Sequence, residues 1–356
     1  MLSFFLAALR KRFRKRGRCL MITIYDIAKA CGCSSATVSK ALNNYPDVNI
    51  NTKERILKMA REMGFTPNSQ ARALSTKKTW NIGVLFEDEN HSGLNHYYFA
   101  PILQSVKEQA EEKGYDITFI SKNFGGEETS YLEHCRRRKT DGVVIACIDF
   151  ESKQVKELMA SEIPVVVIDH LSDHTSSIMS ENFAGMYELT SYLISLGHTN
   201  IAYAFGHRSH VTTERLNGFK RSMKDADLVI LEENIIESRF NDREAAISTV
   251  EKLVSRGDLP TAVMFPDDYC AVWAINTFRR LGVRVPEDVS VAGFDGLEIG
   301  EMMYPRLTTM KQNTVRLGKE AALKCIQLVE SKLTDVTRLS VSVELIKGET
   351  CQQPRL

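Results

Sequence analysis

Most features that would assign this chain of 356 residues to an enzyme or a membrane protein are missing. There is no GxSxG elbow, no GxxxxGK phosphate loop and no HExxH helix, which excludes the commonest signatures of serine hydrolysis, nucleotide hydrolysis and zinc proteolysis. No apolar run reaches the roughly 20 residues that a membrane-spanning helix needs. The eight cysteines are scattered without metal-ligand spacing. Cys31 and Cys33 are too close together for the usual zinc pattern, and reduced thiols in a cytosolic protein fit the set best. His170 and His174, with Asp169 and Asp173 beside them, superficially suggest a metal. They fall in a loop, however, and His207 and His210 are no better placed.

The net charge of +1 hides an asymmetry. Through Trp80 there are 16 Lys+Arg against 4 Asp+Glu, and the remainder holds 30 against 41. A basic head on an acidic body fits nucleic acid at one end only. Seven of the basic residues lie within 10–18. They follow the apolar stretch 2–9, the reverse of the order in a secretory signal. Residues 1–21 read as a disordered extension or as the product of a start codon upstream of Met21. The other reading is an extra basic arm that adds phosphate contacts.

The informative stretch runs from Thr23 to Leu74. Thr23 and Asp26 have the spacing of a capping box, and Ile24, Ile27, Ala28 and Cys31 then share one helical face. Gly32-Cys33 breaks that helix. Ser34 is placed to cap a second, 35–42, whose apolar face is Val38, Ala41 and Leu42. Asn51 and Glu54 form a further capping pair before a third helix, lined by Ile56, Met59, Ala60 and Met63 and stopped at Gly64. Two short helices joined through a glycine, with a third packed on them, make a helix-turn-helix that offers its second helix to the major groove. Residues 67–79 have helical potential but are short for a stable isolated helix.

After Trp80 the pattern becomes short apolar runs alternating with amphipathic helices. Strands are expected at 82–86, 117–120, 142–146, 165–168, 201–205, 262–265 and 289–294. Helices are expected at 102–113, 131–138 and 155–161. Buried β-branched runs alternating with helices argue for parallel sheets, whose ligands bind beyond the carboxyl ends of strands. Strand-end Asp169, Asp267 and Asp295 could each take two hydroxyls of a polyol. Arg215 offers a planar fork of donors, and Tyr98, Phe99 and Phe240 offer ring faces for C–H surface. Asp169 and Asp267 fit equally as helix caps, and Tyr98 and Phe240 as core.

The chain resembles the lactose/galactose repressor (LacI/GalR) family over about 22–343. The head carries this in Tyr25-Asp26-Ile27-Ala28, Ser34-Ser35-Ala36-Thr37-Val38-Ser39-Lys40-Ala41-Leu42-Asn43, Gly64-Phe65-Thr66-Pro67-Asn68 and Ala71-Arg72-Ala73-Leu74. The body carries it in Glu181-Asn182 with Gly185, in Arg215-Leu216-Asn217-Gly218-Phe219, in the run from Val285-Pro286-Glu287-Asp288 through Gly293-Phe294-Asp295, and in Leu307-Thr308-Thr309 with Gln312. The resemblance implies an α/β fold with a small all-α head: a helix-turn-helix at 22–66, a hinge helix at 67–79 and a two-lobed periplasmic-binding-protein-like core at 80–351. The N-lobe would comprise about 80–181 and 312–335, and the C-lobe about 182–311 and 336–351. The chain would cross between lobes near Glu181, Lys311 and Asp335.

The resemblance also implies residue roles. Ser35, Ala36 and Lys40 stand at positions that select bases, with Lys40 reaching either guanine or phosphate. Thr37, Ser39 and Asn43 stand at phosphate-contacting positions, and Leu74 at that of a minor-groove wedge. Tyr98, Phe99, Asp169, Arg215, Phe240, Asp267 and Asp295 stand at ligand-contacting positions. Two departures stand out: Asp267-Asp268 where the family often has Asn-Asp, and Trp273 where it has a small residue.

The function so implied is a cytoplasmic, sequence-specific DNA-binding transcriptional regulator, a repressor rather than an enzyme. It would bind a pseudo-palindromic operator as a homodimer and answer to a small molecule in the cleft, a sugar or sugar derivative, with no cofactor, metal or membrane. Two alternatives stay open: control by a protein co-regulator docked on the N-lobe, and a sugar-binding transport component. Effector identity, the sign of its action and dimer versus tetramer are not legible.

Overall fold

The computed structural model describes residues 22–43, 45–65, 78–88, 92–331 and 335–355. The chain divides into two compact units between Thr79 and Trp80. The extension 1–21 and the hinge stretch that includes Leu74 lie outside the described residues.

The head is three helices, α1 (Ile24–Cys31), α2 (Ser35–Leu42) and α3 (Ile50–Met63). The Asp26 carboxylate accepts from the Thr23 N–H at 2.9 Å and from Thr23 Oγ1 at 2.7 Å, fixing the start of α1. Gly32 ends it in the left-handed conformation, φ +61°, where a side chain would be strained. Ser34 Oγ accepts from the Thr37 N–H at 3.1 Å at the start of α2. Helix α3 begins two residues earlier than the Asn51–Glu54 pair implies. Asn49 is still extended and its side chain accepts from the Asn51 N–H at 3.0 Å, so Asn49 caps the helix and Asn51 lies within its first turn. Ile27, Ala28, Cys31, Val38, Ala41, Ile56, Ala60 and Met63 close one core.

The body is built on two six-stranded sheets. The strands and helices of the first are β1 (Asn81–Phe86), α4 (Phe99–Glu112), β2 (Asp116–Ile120), the hairpin β3 (Asn123–Phe124) and β4 (Glu127–Glu128), α5 (Tyr131–Arg138), β5 (Gly142–Cys147), α6 (Lys153–Met159), β6 (Val165–Ile168) and β7 (Ser176–Ser180). The chain then passes to α7 (Asn182–Ser195), β8 (Ile201–Phe205), α8 (His210–Asp225), β9 (Ile235–Glu237), α9 (Arg243–Ser255), β10 (Ala262–Met264), α10 (Asp268–Arg280), β11 (Ser290–Asp295), α11 (Glu298–Met302) and β12 (Thr308–Lys311). It returns through α12 (Thr314–Ser331) and β13 (Arg338–Val341), and crosses last to β14 (Glu344–Ile346).

The first sheet has the order β13-β7-β6-β5-β1-β2 and the second β14-β12-β11-β10-β8-β9. All neighbours are parallel except β14, which runs antiparallel to β12. The first change of sheet comes after β7, at Glu181, and the second after β12, at Lys311. The third does not fall near Asp335. Strand β13 pairs with β7 over Arg338–Val341, so the N-lobe keeps the chain through Val341 and the change of lobe comes at Ser342-Val343. The sheet edge left open by β7 is what holds the chain for those extra residues.

Each lobe has one helix pair in very close approach. In the N-lobe, a Cβ on Gly318 of α12 would lie 2.3 Å from the Ile102 carbonyl oxygen of α4; in the C-lobe, a Cβ on Gly218 of α8 would lie 2.3 Å from the Phe183 carbonyl oxygen of α7. Glycine is the only residue that fits either contact without moving backbone.

Candidate nucleic-acid interface and interlobe cleft

Helix α2 carries five of the expected contact residues, and its C-cap, Asn43, is a sixth. Ala36 and Lys40 are exposed, and Ser35, Thr37, Ser39 and Asn43 are half-buried. Thr37 and Asn43 also serve the helix itself. Thr37 Oγ1 pairs with Ser34 Oγ at 2.8 Å, and the Asn43 amide donates to the Ser39 carbonyl at 2.9 Å. Lys40 is held in an ion pair by Asp47 on the following loop, and this carboxylate raises the lysine pKa. Small residues at the N-terminal end of α2 leave its backbone free to approach a groove floor, and Lys40, paired with Asp47, places its charge on the exposed side of the same helix.

The cleft is formed by the carboxyl ends of the strands of both sheets. Asp169 follows β6 in the left-handed region, φ +55°, and Asp295 ends β11 at φ +127°. The buried Tyr98, at the start of α4, donates its single phenol proton to Asp169 Oδ2 at 2.7 Å and shares it with Gln312 Oε1, the longer arm, at 3.1 Å. Gln312 Nε2 donates to Asp295 Oδ1 at 2.6 Å. Asp169, Tyr98, Gln312 and Asp295 therefore form one hydrogen-bonded chain from the N-lobe to the C-lobe, passing through the second crossing. Burial drives the Tyr98 phenol and the Asp295 carboxyl well above their ordinary values. At Asp295 the Arg215 charge opposes that rise, while Asp268 and Asp267 add to it.

Arg215, on α8, is buried. Its Nε donates to Asn182 Oδ1 at 2.8 Å and Nη1 to the Pro266 carbonyl at 2.9 Å, and the guanidinium lies 3.6 Å over the Phe294 ring. Phe240 sits 5.8 Å away on another side of the guanidinium, pressed so closely on Gly206 that a Cβ there would fall 2.1 Å from the ring. Asp267 does what a strand-end aspartate commonly does. It caps α10 by accepting from the Cys270 N–H at 2.8 Å, and its second oxygen accepts from the Asn241 N–H at 2.6 Å. Phe99 turns mainly toward the N-lobe core, its ring centroid 5.4 Å from Phe86 and 5.0 Å from His96, and meets Tyr98 edge-on at 4.9 Å.

The structure thus brings Tyr98, Asp169, Arg215, Phe240 and Asp295 to one place, with Asp267 committed behind them. It adds residues outside the expected set. Gln312 is the link at the crossing. Asp268 is fully buried, accepts from the Leu297 N–H at 2.6 Å and pairs with Thr309 Oγ1, and burial lifts it to about 7. Tyr97 of the N-lobe stacks on Tyr269 of the C-lobe, centroids 4.2 Å apart and planes at 21°, with Trp273 a further 5.6 Å along α10. Trp273 is thereby accommodated half-buried on the C-lobe core. The signal for Gln312 is its place in the motif Leu307-Thr308-Thr309 with Gln312, one of those that carry the family resemblance. Tyr97 and Tyr269 carry no local signal, because their contact exists only once the lobes face each other. His170 stacks on Phe150 at 3.8 Å, and no group of metal-binding side chains forms among the described residues.

A helix-turn-helix head joined to a two-lobed α/β body with a polar, ring-lined cleft defines a DNA-binding regulator built on a periplasmic-binding-protein-like core. The comparisons with known proteins agree. Residues 23–68 match the family described as bacterial regulatory proteins, lacI family, and residues 190–351 match the periplasmic binding protein-like domain. The chain is 31% identical over 341 residues to the HTH-type transcriptional repressor PurR of Vibrio vulnificus strain CMCP6, covering 94% of this chain and 99% of that one. It is 33% identical over 306 residues to the HTH-type transcriptional regulator DegA of Bacillus subtilis strain 168, covering 84% and 88%. Its fold matches the Lac repressor dimer bound to operator and the anti-inducer ONPF with TM-score 0.73 and 25% identity, over 94% of this chain and 100% of that one. A transcriptional regulator CelR–cellobiose complex shares the fold with TM-score 0.69 at 23% identity, over 92% and 99%. The chain belongs to the LacI family of DNA-binding transcriptional regulators; its relatives are regulators and not enzymes. Among the described residues no helix is long and apolar enough to cross a membrane.

Proposed function

We propose that this chain is a cytoplasmic repressor that binds a pseudo-palindromic operator as a homodimer and is controlled by a small molecule, a sugar or sugar derivative, in the interlobe cleft. The observation that carries this reading is the chain Asp169–Tyr98–Gln312–Asp295. A ligand that competes for either carboxylate alters bonds that tie one lobe to the other, so its binding is coupled to the angle between them. Such a coupling free energy is reciprocal: what DNA does to ligand affinity, ligand does to DNA affinity. On the DNA side, Ser35, Ala36 and Lys40 choose bases, Thr37, Ser39 and Asn43 set register on phosphates, and Leu74 opens the minor groove at the operator centre. Fewer phosphate contacts are needed for register if Thr37 and Asn43 are already fixed by their own helix.

Selection of bound sites from a random DNA pool by the full chain tests the first half. Recovery of a two-fold-related pair of half-sites, with specific retention lost and nonspecific binding kept in Leu74→Ala, is the expected result. Recovery of no common site refutes the reading. For the second half, thermal unfolding against a metabolite panel should give a hit that disappears in Asp295→Ala. A ligand at ~100 times its Kd adds about 2.7 kcal/mol.

A further inference from the structure

The cleft holds more acceptors than donors. Four carboxylates, Asp169, Asp267, Asp268 and Asp295, surround a single guanidinium, Arg215, and each is perturbed by the low-dielectric surroundings. Arg215 spends its two hydrogen bonds among the described residues on neutral oxygens, the Asn182 amide and the Pro266 carbonyl, so no carboxylate is neutralised by a direct bond from it there. Asp267 and Asp268 have both oxygens occupied by donors of the protein. The other two do not. Asp169 Oδ1 is buried without a hydrogen-bond partner among the described residues, and Asp295 receives Gln312 on Oδ1 alone. A buried acceptor left unpaired is costly, and a ligand that supplies the donor recovers that cost on binding.

We propose that the cleft is selective for a ligand that carries no negative charge and presents adjacent O–H or N–H donors, and that it rejects the phosphorylated form of the same molecule; this rests on the cleft being the effector site. One donor goes to Asp169 Oδ1 and another to the second oxygen of Asp295, with the ligand's C–H face against the Phe240 ring. A phosphate brings acceptors, and a charge that the same burial penalises, beside carboxyls already pushed toward their neutral form, and the one guanidinium that could receive it is partly spent.

The test is thermal unfolding of the full chain with ribose, glucosamine, cellobiose and adenosine, each beside its phosphate monoester, and with inorganic phosphate as the salt control. At least one unphosphorylated compound is expected to raise the midpoint, with its phosphate ester needing about ten-fold or more higher concentration for the same rise. An ester that matches or exceeds its parent overturns the charge rule while leaving the cleft as an effector site. No rise with any compound overturns the cleft reading itself, and this inference with it.

Discussion

On the N-lobe wall of the cleft stands one aspartate, Asp169, with one oxygen bound and the other bare. On the C-lobe wall stand three, and two of them have every oxygen tied to the C-lobe's own backbone or to Thr309. All four lie at, or within four residues after, the carboxyl end of a strand, so their positions alone do not separate them. What separates them is the donors that surround each. Asp267 and Asp268 face the first turn of α10 and the loop after β11, both rich in N–H groups. Asp169 receives the Tyr98 phenol and lies near the Ser180 backbone and the Arg215 charge, yet its Oδ1 takes no hydrogen bond among the described residues. A strand-end carboxylate is thus structural where the backbone supplies donors and available for ligand where it does not.

The strongest way to break this contrast is to remove a carboxylate from each wall. Asp268→Ala leaves the Leu297 N–H and Thr309 hydroxyl buried without partners and should cost about 3 kcal/mol in urea denaturation. Asp169→Asn keeps an acceptor for Tyr98 and should cost no more than about 1 kcal/mol. Equal costs would show that both walls are structural.

The dependence on pH sharpens the same point. Asp268 rises from the ordinary 3.8 to about 7 in the folded chain, so the folded state holds its proton more tightly than the unfolded one. That contribution favours the fold below the unfolded value and is lost as pH climbs through about 7. The urea midpoint should therefore fall between those limits, and Asp268→Asn should flatten the fall. A slope unchanged in the variant would assign it to Asp295 or Asp267 instead.

The smallest effect probes where the two walls touch. A double-mutant cycle on Tyr97 and Tyr269, each changed to alanine, should give a coupling of about 1 kcal/mol for a stacked aromatic pair. Strict additivity would mean that the rings do not meet in solution and that the cleft stands open there.

Much of the framework is legible without coordinates because its determinants are local. Ser34 before an apolar periodic stretch gives α2 to the residue, and Val165-Val166-Val167-Ile168 gives β6 in the same way. Strand β7 escaped because Ser-Ser-Ile-Met-Ser lacks the β-branched run that marks a buried strand. Strands β9, β12, β13 and β14 escaped for a related reason: they are short, three of them sit at a sheet edge, and their pairing rather than their composition makes them strands. Placing the last crossing near Asp335 failed with β13. The cleft divides the same way. Arg215 and Asp295 stand out from their motifs, whereas the Tyr97–Tyr269 contact and the linking role of Gln312 exist only through tertiary contacts between segments far apart in the chain.

The interleaved path of the chain also governs how the body is made. Strand β13 completes the edge of the first sheet and β14 that of the second, and Thr350, fully buried, donates to the Val291 carbonyl at 2.7 Å and accepts from the Thr308 N–H at 2.9 Å. During vectorial synthesis neither lobe can finish until residues 338–351 have left the ribosome. Until then β7 and β12 each present an open edge to other chains. A nascent body therefore gains both lobes almost together, and a chain cut short before that stretch leaves both sheets without their last edge strand.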